Sequence, residues 1–281
     1  MSDQAGNITV KDLGTTRRLG FGAMRITGEG IWGEPADRDS AKAVVRRAVE
    51  LGIDFIDTAD SYGPEVSERI IAEALQPYPQ GLRIATKAGQ VRTGPGKWIP
   101  LGRPEYLRQQ AELSLRRLGV DKLDLFQLHR IDRTIDAAEQ FGVMAELQKE
   151  GKVGALGLSA VSIDDIETAR EHFTVATVQN RYNLADRESD DVLDYCTKND
   201  IAFIPYAPID GGKLMDDGSA VDAVATRLGA SRAQVALAWL LQRSPMVLPI
   251  PGTASIPHLE DNMGAAELTL DAASVAELDA A

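Results

Sequence analysis

Several features that mark common functional classes are missing from this 281-residue sequence. It has one cysteine, Cys196, so no internal disulfide can form and a reducing compartment is the natural expectation. The three histidines show neither an H-x-H nor an H-E-x-x-H pattern, which argues against a zinc site. We therefore predict no metal centre and no metal-dependent hydrolysis.

The charge balance and the short hydrophobic runs exclude further classes. A net charge of −12 opposes non-specific binding to nucleic acid or to an anionic membrane surface. The longest apolar run, Val235–Leu241, is far shorter than the roughly 20 residues of a membrane-spanning helix, and the polar N-terminus lacks a signal-peptide core. We predict a cytoplasmic protein that binds neither nucleic acid nor membrane, and the oligomeric state stays open.

What the sequence does contain is a rhythm of eight short apolar runs, which predict buried parallel strands. The runs are Leu19–Met24, Ile53–Asp57, Arg83–Lys87, Leu123–His129, Val153–Ser159, Val175–Gln179, Ile201–Tyr206 and Val247–Pro251. Helical patterns fill the gaps, and successive runs recur about every 32 residues, the spacing of strand–helix units. We predict an α/β fold in which residues 1–281 form a single (β/α)8, or TIM, barrel domain with a short N-terminal β-hairpin.

A doubly wound sheet is the alternative fold, but its phosphate-binding sequence is absent. Gly20–Arg25 reads GFGAMR and lacks the final glycine of G-x-G-x-x-G, while Gly94–Trp98 lacks the spacing and the hydroxyl of a P-loop. The stretch Gly89–Pro104 is rich in glycine and proline and follows a strand end. We predict that it is a long loop on the substrate side of the barrel.

Three neighbouring strands of the predicted barrel end in polar residues. Asp57 ends the second strand, Lys87 the third and His129 the fourth, and Tyr62 follows Asp57 by five residues. Adjacent strands lie ~4.8 Å apart, so these strand ends fall within about 10 Å of one another. Taken alone, each residue has an ordinary structural explanation. The aspartate could cap a helix, the lysine could lie on the surface, the tyrosine could pack in the core, and the histidine could be a hydrogen-bonded core residue. Their joint occurrence at the catalytic end of a barrel favours an active site.

These four residue types suit the reduction of a carbonyl group. Lys87 beside Asp57 stays cationic, because an unpaired buried charge is costly. A cation beside Tyr62 is expected to lower the tyrosine pKa from about 10 and make it a usable general acid. His129 can donate a hydrogen bond to a carbonyl oxygen. No side chain supplies a hydride, so a nicotinamide cofactor is expected.

Seven segments of the sequence resemble the aldo-keto reductase family. They are LGIDFIDTADSYG, TKAG, LDLFQLH, GLS, VQN, PYAP and IPGTASIPHLEDN; they occur in this order, and the resemblance runs from about Leu19 to Asn262. The resemblance implies a (β/α)8 barrel without a Rossmann domain. It implies these catalytic roles: Tyr62 as proton donor, Lys87 as the modulator of its pKa, Asp57 as the partner of Lys87, and His129 as the residue that orients the carbonyl.

The resemblance also implies a cofactor site at the later strand ends, where barrels commonly bind phosphate. Ser159 and Gln179 would hold the nicotinamide carboxamide, and Tyr206 would stack on the ring. The remaining predicted cofactor contacts are Ala23, Met24, Asp57, Pro208, Gly252, Thr253, Ser255, His258 and Asn262.

Three positions depart from the family pattern. Lysine is common where Gly252 stands and arginine where His258 stands, so two cations that grip a 2′-phosphate are absent. Asparagine commonly follows the serine of GLS, where this sequence has Ala160. We expect NADPH, with NADH as the alternative, and Lys213 is a further candidate for the phosphate.

The substrate prediction rests on two tryptophans near strand ends. Trp32 and Trp98 predict an apolar pocket for a small aldehyde or ketone, and the local sequence is most similar to bacterial members that include pyridoxal reductases. We predict an NADPH-dependent oxidoreductase that reduces aldehydes or ketones to alcohols with tyrosine as proton donor. The alternatives are a Schiff-base aldolase that uses Lys87 and a non-catalytic NADPH-binding sensor or regulatory subunit.

Overall fold

The computed structural model describes residues 5–209 and 216–280. The strands in these ranges are β1 (Asn7–Val10), β2 (Gly14–Arg17), β3 (Phe21–Gly22), β4 (Phe55–Asp57), β5 (Arg83–Ala88), β6 (Gln90–Gly94), β7 (Lys97–Pro100), β8 (Leu123–Leu128), β9 (Val153–Ser159), β10 (Val175–Gln179) and β11 (Ala202–Phe203). The α-helices are α1 (Arg38–Glu50), α2 (Val66–Leu75), α3 (Pro104–Leu118), α4 (Ala137–Lys149), α5 (Ile163–Arg170), α6 (Asp190–Lys198), α7 (Ala220–Leu228), α8 (Arg232–Arg243), α9 (Ile256–Met263) and α10 (Ala272–Asp279). Short 3₁₀ helices span Ala23–Ile26, Glu29–Ile31 and Gly264–Glu267. Within the described ranges, no helix combines the length and the apolarity needed to cross a membrane.

The central element is a curled, seven-stranded parallel sheet with the order β11-β10-β9-β8-β5-β4-β3. The segment 246–251 lies between its two edges. On one side Leu248 N donates to Phe203 O (2.9 Å), and on the other Gly20 N donates to Pro249 O (2.9 Å) and Gly22 N to Pro251 O (3.3 Å). This arrangement is consistent with the predicted (β/α)8 barrel.

The first, seventh and eighth predicted strands are much shorter than the sequence suggested. The first run contributes only β3 before the chain enters a 3₁₀ helix, and the seventh contributes only β11. The eighth run forms an isolated parallel bridge between Val247 and Phe203 instead of a regular strand. Pro249 and Pro251 explain this, because proline has no N–H to donate to a ladder.

The predicted N-terminal hairpin is confirmed, since β1 and β2 pair antiparallel. Ile8, Val10 and Leu13 join one apolar cluster with inward-facing barrel residues. The barrel members of that cluster are Phe55, Ala85, Leu125, Ala155, Ala176, Ala202, Ile204, Leu248 and Ile250. The hairpin therefore closes the amino-terminal end of the barrel with apolar side chains.

The stretch Gly89–Pro104, predicted to be a loop, contains a second hairpin. Strands β6 and β7 pair antiparallel across a Gly-Pro-Gly turn, and Arg92 lies opposite Trp98. The prediction of an irregular loop is wrong because valine, arginine and tryptophan flank a strong turn sequence, a pattern typical of a short hairpin. The hairpin follows β5 directly and stands at the carboxyl end of the barrel.

Candidate active site

The centre of the site is a buried ion pair between Lys87 and Asp57. Lys87 Nζ lies 2.5 Å from Asp57 Oδ1 and 2.8 Å from Thr58 O, and the two side chains are 0% and 2% exposed. The amides of Gln127 and Gln179 donate to Asp57 Oδ2 at 3.3 and 2.9 Å. Burial lowers the pKa of Lys87, but Asp57 and Tyr62 together outweigh this and the net pKa is raised. Lys87 is therefore a cation at neutral pH.

Tyr62 returns to this pair because the loop after β4 follows β5. Thr58 N donates to Ala85 O (2.8 Å) and Asp60 N to Lys87 O (3.1 Å), so the chain runs along the neighbouring strand before it turns. The Tyr62 hydroxyl then lies 3.4 Å from Lys87 Nζ. The His129 ring lies 5.8 Å from the Tyr62 ring, between centroids, at an interplanar angle of 81°. The structure brings the four predicted catalytic residues into one cluster.

The pKa of Tyr62 departs from the expectation. The predicted lowering by Lys87 is present, but burial of the phenol outweighs it and the pKa is raised. The sequence prediction is wrong here because it considered the charged neighbour without the desolvation of the hydroxyl. A raised pKa keeps the proton on Tyr62 at neutral pH, which is the state that a proton donor needs.

His129 is neutral in this site. Burial lowers its pKa well below 6.5, and the charges of Lys87, Arg130 and Arg92 lower it further. The Ser61 hydroxyl lies 3.2 Å from His129 Nδ1. When Ser61 donates to Nδ1, the ring proton lies on Nε2, and that N–H can donate to a carbonyl oxygen.

Gln127 is a site residue that the sequence analysis missed. Besides its bond to Asp57, it accepts from Thr177 Oγ1 at 3.2 Å. Gly157 makes room for this contact, because a Cβ there would lie 2.1 Å from Thr177 Oγ1 and 3.0 Å from Gln127 Cγ. A polar residue inside the apolar run of β8, two positions before His129, was the signal that could have found it.

On the substrate side the structure places Trp98 beside the catalytic residues. Its ring centroid lies 6.3 Å from that of Tyr62 and 6.2 Å from that of His129, both edge-to-face. The Arg92 guanidinium lies 3.6 Å from the Trp98 centroid and 5.8 Å from that of Trp32. Trp32 is 37% exposed, whereas Trp98 is half-buried.

On the predicted nicotinamide side, Arg130 links two residues of the expected set. Its guanidinium donates to Ser159 Oγ at 3.0 Å and to Tyr206 OH at 3.5 Å. Arg130 follows His129 at the end of β8, and the sequence analysis did not single it out. Gln179, the third residue expected here, points to Asp57 (2.9 Å). The structure thus gathers Ser159, Tyr206 and Gln179 around the ion pair and Arg130.

The residues predicted for the phosphate end fit a dinucleotide. Gly22 and Gly252 face each other so closely that a Cβ on Gly252 would lie 2.6 Å from Gly22 O. Ser255 caps helix α9, and its N–H donates to Thr253 Oγ1 at 3.0 Å. The two hydroxyls and the N–H groups at the helix N-terminus are suitable donors for phosphate.

The close contact between Gly252 and Gly22 also explains one departure from the family pattern. A lysine at position 252 would need a Cβ inside the van der Waals radius of a backbone oxygen. His258, by contrast, is exposed on α9, and Lys213 lies outside the described residues. Of the other predicted contacts, Met24 is half-buried, and the buried ones are Ala23, Pro208 and Asn262.

The third departure, Ala160, stands in an unusual backbone conformation. Its φ is +55°, in the left-handed region, and its N–H donates to Gln179 O at 2.9 Å. Asparagine adopts this conformation more readily than alanine. The missing asparagine therefore removes both a carboxamide and a residue that suits the local backbone.

Asp60, in the loop between Asp57 and Tyr62, is a buried acid. Its Oδ2 accepts from the Tyr106 hydroxyl at 3.2 Å, and its Oδ1 is buried without a hydrogen-bond partner. Burial, followed by the charge of Glu68, raises the pKa of Asp60 to about 8. The carboxyl group is therefore mostly protonated at neutral pH.

The chain was compared with known proteins. A sequence model of the aldo/keto reductase family matches residues 18–281. The chain is 51% identical over 278 residues to the uncharacterized oxidoreductase C215.11c of Schizosaccharomyces pombe, covering 99% of this chain and 90% of the relative. It is 42% identical over 277 residues to the pyridoxine 4-dehydrogenase of Escherichia coli, covering 95% and 96%. The structure of an aldo-keto reductase from Klebsiella pneumoniae in complex with NADPH matches with a TM-score of 0.84 at 27% identity, covering 100% of this chain and 95% of that one.

Proposed function

The chain belongs to the aldo/keto reductase family of NAD(P)H-dependent oxidoreductases, and from this premise we propose that it reduces aldehydes or ketones to alcohols with Tyr62 as the proton donor. Family membership confirms the resemblance found in the sequence motifs. The observation that carries the mechanism is the single buried cluster of the four predicted catalytic residues. The members are Asp57, Tyr62, Lys87 and His129.

Each member of the cluster has a distinct task in the proposed reaction. The neutral His129 donates a hydrogen bond that orients the substrate carbonyl. Tyr62 transfers its proton to the carbonyl oxygen as negative charge develops there. The Lys87 cation stabilises the tyrosinate that remains, and Asp57 holds Lys87 in its charged form. A nicotinamide cofactor, when bound, would supply the hydride for the carbonyl carbon.

We propose NADPH as this cofactor, since a structural neighbour binds it and Thr253, Ser255 and the N-terminus of α9 offer donors suited to phosphate. Ser159, Gln179 and Tyr206 would hold the nicotinamide end. The proposed contacts along the rest of the cofactor are Ala23, Met24, Pro208, Thr253, Ser255, His258 and Asn262. NADH remains the alternative because position 252 has no lysine, and parallel titrations with both cofactors distinguish the two.

The proposed substrate is a small aromatic aldehyde such as pyridoxal. The relative from Escherichia coli is a pyridoxine 4-dehydrogenase, an enzyme named for the alcohol form of this aldehyde. The Trp98 ring beside Tyr62 and His129 supports the choice, because it offers an aromatic wall to a planar ligand. We also propose that residues 1–281 work as one (β/α)8 barrel domain in the cytoplasm.

The two alternative functions suit this site less well. A Schiff-base aldolase needs a neutral, nucleophilic lysine, whereas Asp57 keeps Lys87 charged and bonded. A non-catalytic sensor would not require the complete cluster around Tyr62 that is present here. A protein that binds NADPH and turns over no aldehyde would favour the sensor.

The test is the Tyr62→Phe variant, assayed by NADPH oxidation against an aldehyde and ketone panel that includes pyridoxal. We expect kcat to fall about 10²–10⁴-fold, the usual contribution of a general acid. The Kd for NADPH should stay unchanged, because the ring and its packing are retained. A variant that keeps most of its turnover would show that Tyr62 is not the proton donor.

A further inference from the structure

Arg92 occupies an unusual position for a charged side chain at the edge of the active site. It lies on β6, opposite Trp98 of β7, and it is only 9% exposed. Burial lowers its pKa from the ordinary arginine value, and no carboxylate is among its hydrogen-bond partners. Its guanidinium donates instead to backbone carbonyl oxygens: Gly30 O (2.7 Å), Ile31 O (2.5 Å), Ser61 O (3.1 Å) and Lys97 O (3.0 Å).

These carbonyls belong to three separate segments. Gly30 and Ile31 lie in the loop after β3, Ser61 lies in the catalytic loop after β4, and Lys97 lies in the hairpin after β5. One side chain therefore ties together the loops that follow three consecutive strands of the barrel. A planar guanidinium with five N–H donors can serve several carbonyls at once, which the single ammonium of a lysine cannot match in geometry.

The backbone of Ile31, which accepts one of these hydrogen bonds, is strained, and this is an independent observation about the same contact. Its φ is +56°, in the left-handed region, where a β-branched residue is a rare outlier. Such strain persists only where surrounding contacts hold the backbone in place. The Ile31 carbonyl accepts the shortest of the Arg92 hydrogen bonds, so Arg92 is one of those contacts.

The same guanidinium also fixes the Trp98 ring. It lies 3.6 Å from the ring centroid, and the ring meets Tyr62 and His129 edge-to-face. Arg92 further donates to the carbonyl of Ser61, whose hydroxyl contacts His129. Arg92 is thus connected to Tyr62 through Trp98, and to His129 through both Trp98 and Ser61.

We propose that Arg92 is a positioning residue: by tying the three loops together it holds Trp98 against Tyr62 and His129 and so forms the wall against which a planar aromatic substrate lies. The inference rests on the proposed reductase function for its kinetic consequence. It predicts that selectivity for aromatic over small aliphatic aldehydes depends on Arg92. The positive charge near His129 is a separate effect that a lysine would preserve.

The first experiment compares Arg92→Ala and Arg92→Lys with the unmodified protein, using pyridoxal and butanal as substrates. For Arg92→Ala we expect kcat/KM for pyridoxal to fall about 10²-fold, as for other losses of substrate positioning. The value for butanal should fall much less, and the Kd for NADPH should not change. Arg92→Lys should recover little of the loss. Full recovery in Arg92→Lys would overturn the proposal, since charge alone would then suffice.

A double-mutant cycle tests whether Arg92 acts through Trp98. Trp98→Ala should also reduce kcat/KM for pyridoxal, and adding Arg92→Ala to it should reduce the value little further. Independent, multiplicative losses from the two substitutions would contradict the proposal.

Arg18 offers a matched control at the opposite end of the barrel. Its guanidinium likewise donates to backbone carbonyls, those of Leu241, Ser244 and Val247. Arg18→Ala should lower Tm while kcat/KM of the folded protein stays unchanged for both aldehydes. A selectivity change in Arg18→Ala equal to that in Arg92→Ala would show a general loss of stability instead of local positioning.

Hydrogen exchange provides a readout that does not depend on turnover. In Arg92→Ala the amides of residues 28–33 and 90–100 should exchange faster, while those of β8 and β9 keep their protection. If the unmodified protein reduces no carbonyl, the proposed function fails, and the exchange pattern still decides whether Arg92 ties the loops. Unchanged exchange in both segments would overturn the proposal.

Discussion

The two ends of the barrel are built from the same strands, yet their inward-facing side chains have opposite character. Each of three strands carries an apolar residue followed two positions later by a polar one: Phe55 and Asp57 in β4, Ala85 and Lys87 in β5, Leu125 and Gln127 in β8. The apolar members meet the hairpin residues at the amino end, and the polar members bond to one another at the carboxyl end. Only two residues along each strand separate these environments.

The difference shows how one short strand serves both stability and chemistry. At the amino end, Ala85 and Ala155 belong to the same apolar cluster as Ile8 and Val10 of the hairpin, so apolar burial stabilises the fold. At the carboxyl end, Asp57 and Lys87 form an ion pair whose desolvation offsets much of its attraction. We therefore expect substitutions at the first end to affect unfolding alone and those at the second to affect turnover as well.

The largest effect is expected for Lys87→Met, which tests whether the carboxyl end is primarily chemical. Activity should fall at least about 10²-fold. The unpaired Asp57 should also lower the free energy of unfolding by about 3–5 kcal/mol. Urea denaturation and NADPH oxidation measure the two effects. The double variant Asp57→Asn/Lys87→Met should regain much of the stability without activity, and activity in that variant would contradict the proposed role of the pair.

At the amino end, Ile8→Ala should lower stability without affecting turnover. Ile8 is 3% exposed in the hairpin, and loss of such a side chain costs about 2–5 kcal/mol of unfolding free energy. The kcat and KM of the folded protein should stay unchanged, because the hairpin lies at the end remote from Tyr62. A fall in kcat/KM comparable to that of an active-site variant would break the comparison between the two ends.

Asp60→Asn is expected to have a pH-dependent effect on stability at the carboxyl end. The pKa of Asp60 is about 8 in the folded protein and about 4 in the unfolded chain, so unfolding releases a proton between these values. The stability due to this group therefore falls as pH rises from about 4 to 8, by at most about 1.4 kcal/mol per pH unit. Asparagine does not titrate. The Tm of the variant, relative to that of the unmodified protein, should therefore rise as the pH rises through this window. Parallel Tm profiles would rule out a buried neutral Asp60.

The smallest effect is expected for Ala160→Asn, which sharpens the account of the cofactor side. Asparagine suits a φ of +55°, and the unfolding free energy should rise by less than about 1 kcal/mol. If the added carboxamide also contacts the nicotinamide, the Kd for NADPH should fall. Ala160→Gly is the control, since glycine accepts the conformation without supplying an amide. Equal NADPH affinity in both variants would show that only the backbone conformation matters.

The sequence predicted the site to the extent that one local rule governs it. Asp57, Lys87 and His129 end consecutive strands, so the rule that barrel chemistry lies at strand ends predicts from the sequence that they lie close together. The role of Arg92 could not be predicted from the sequence, because its partners, from Gly30 to Lys97, come from three loops whose contacts depend on the tertiary fold. The raised pKa of Tyr62 could not be predicted either, since burial of its hydroxyl is a property of the assembled pocket.

The contact between Gly22 and Gly252 has a consequence for attempts to redesign coenzyme preference. These glycines lie where the first and last segments of the barrel meet, so the contact that closes the barrel includes Gly252, a predicted cofactor contact. A bulky residue introduced at position 252 to bind a 2′-phosphate would push the closing segments apart before it could reach a ligand. Engineering of this enzyme toward one dinucleotide should therefore begin on the exposed face of α9, at His258, and leave the contact between Gly22 and Gly252 unchanged.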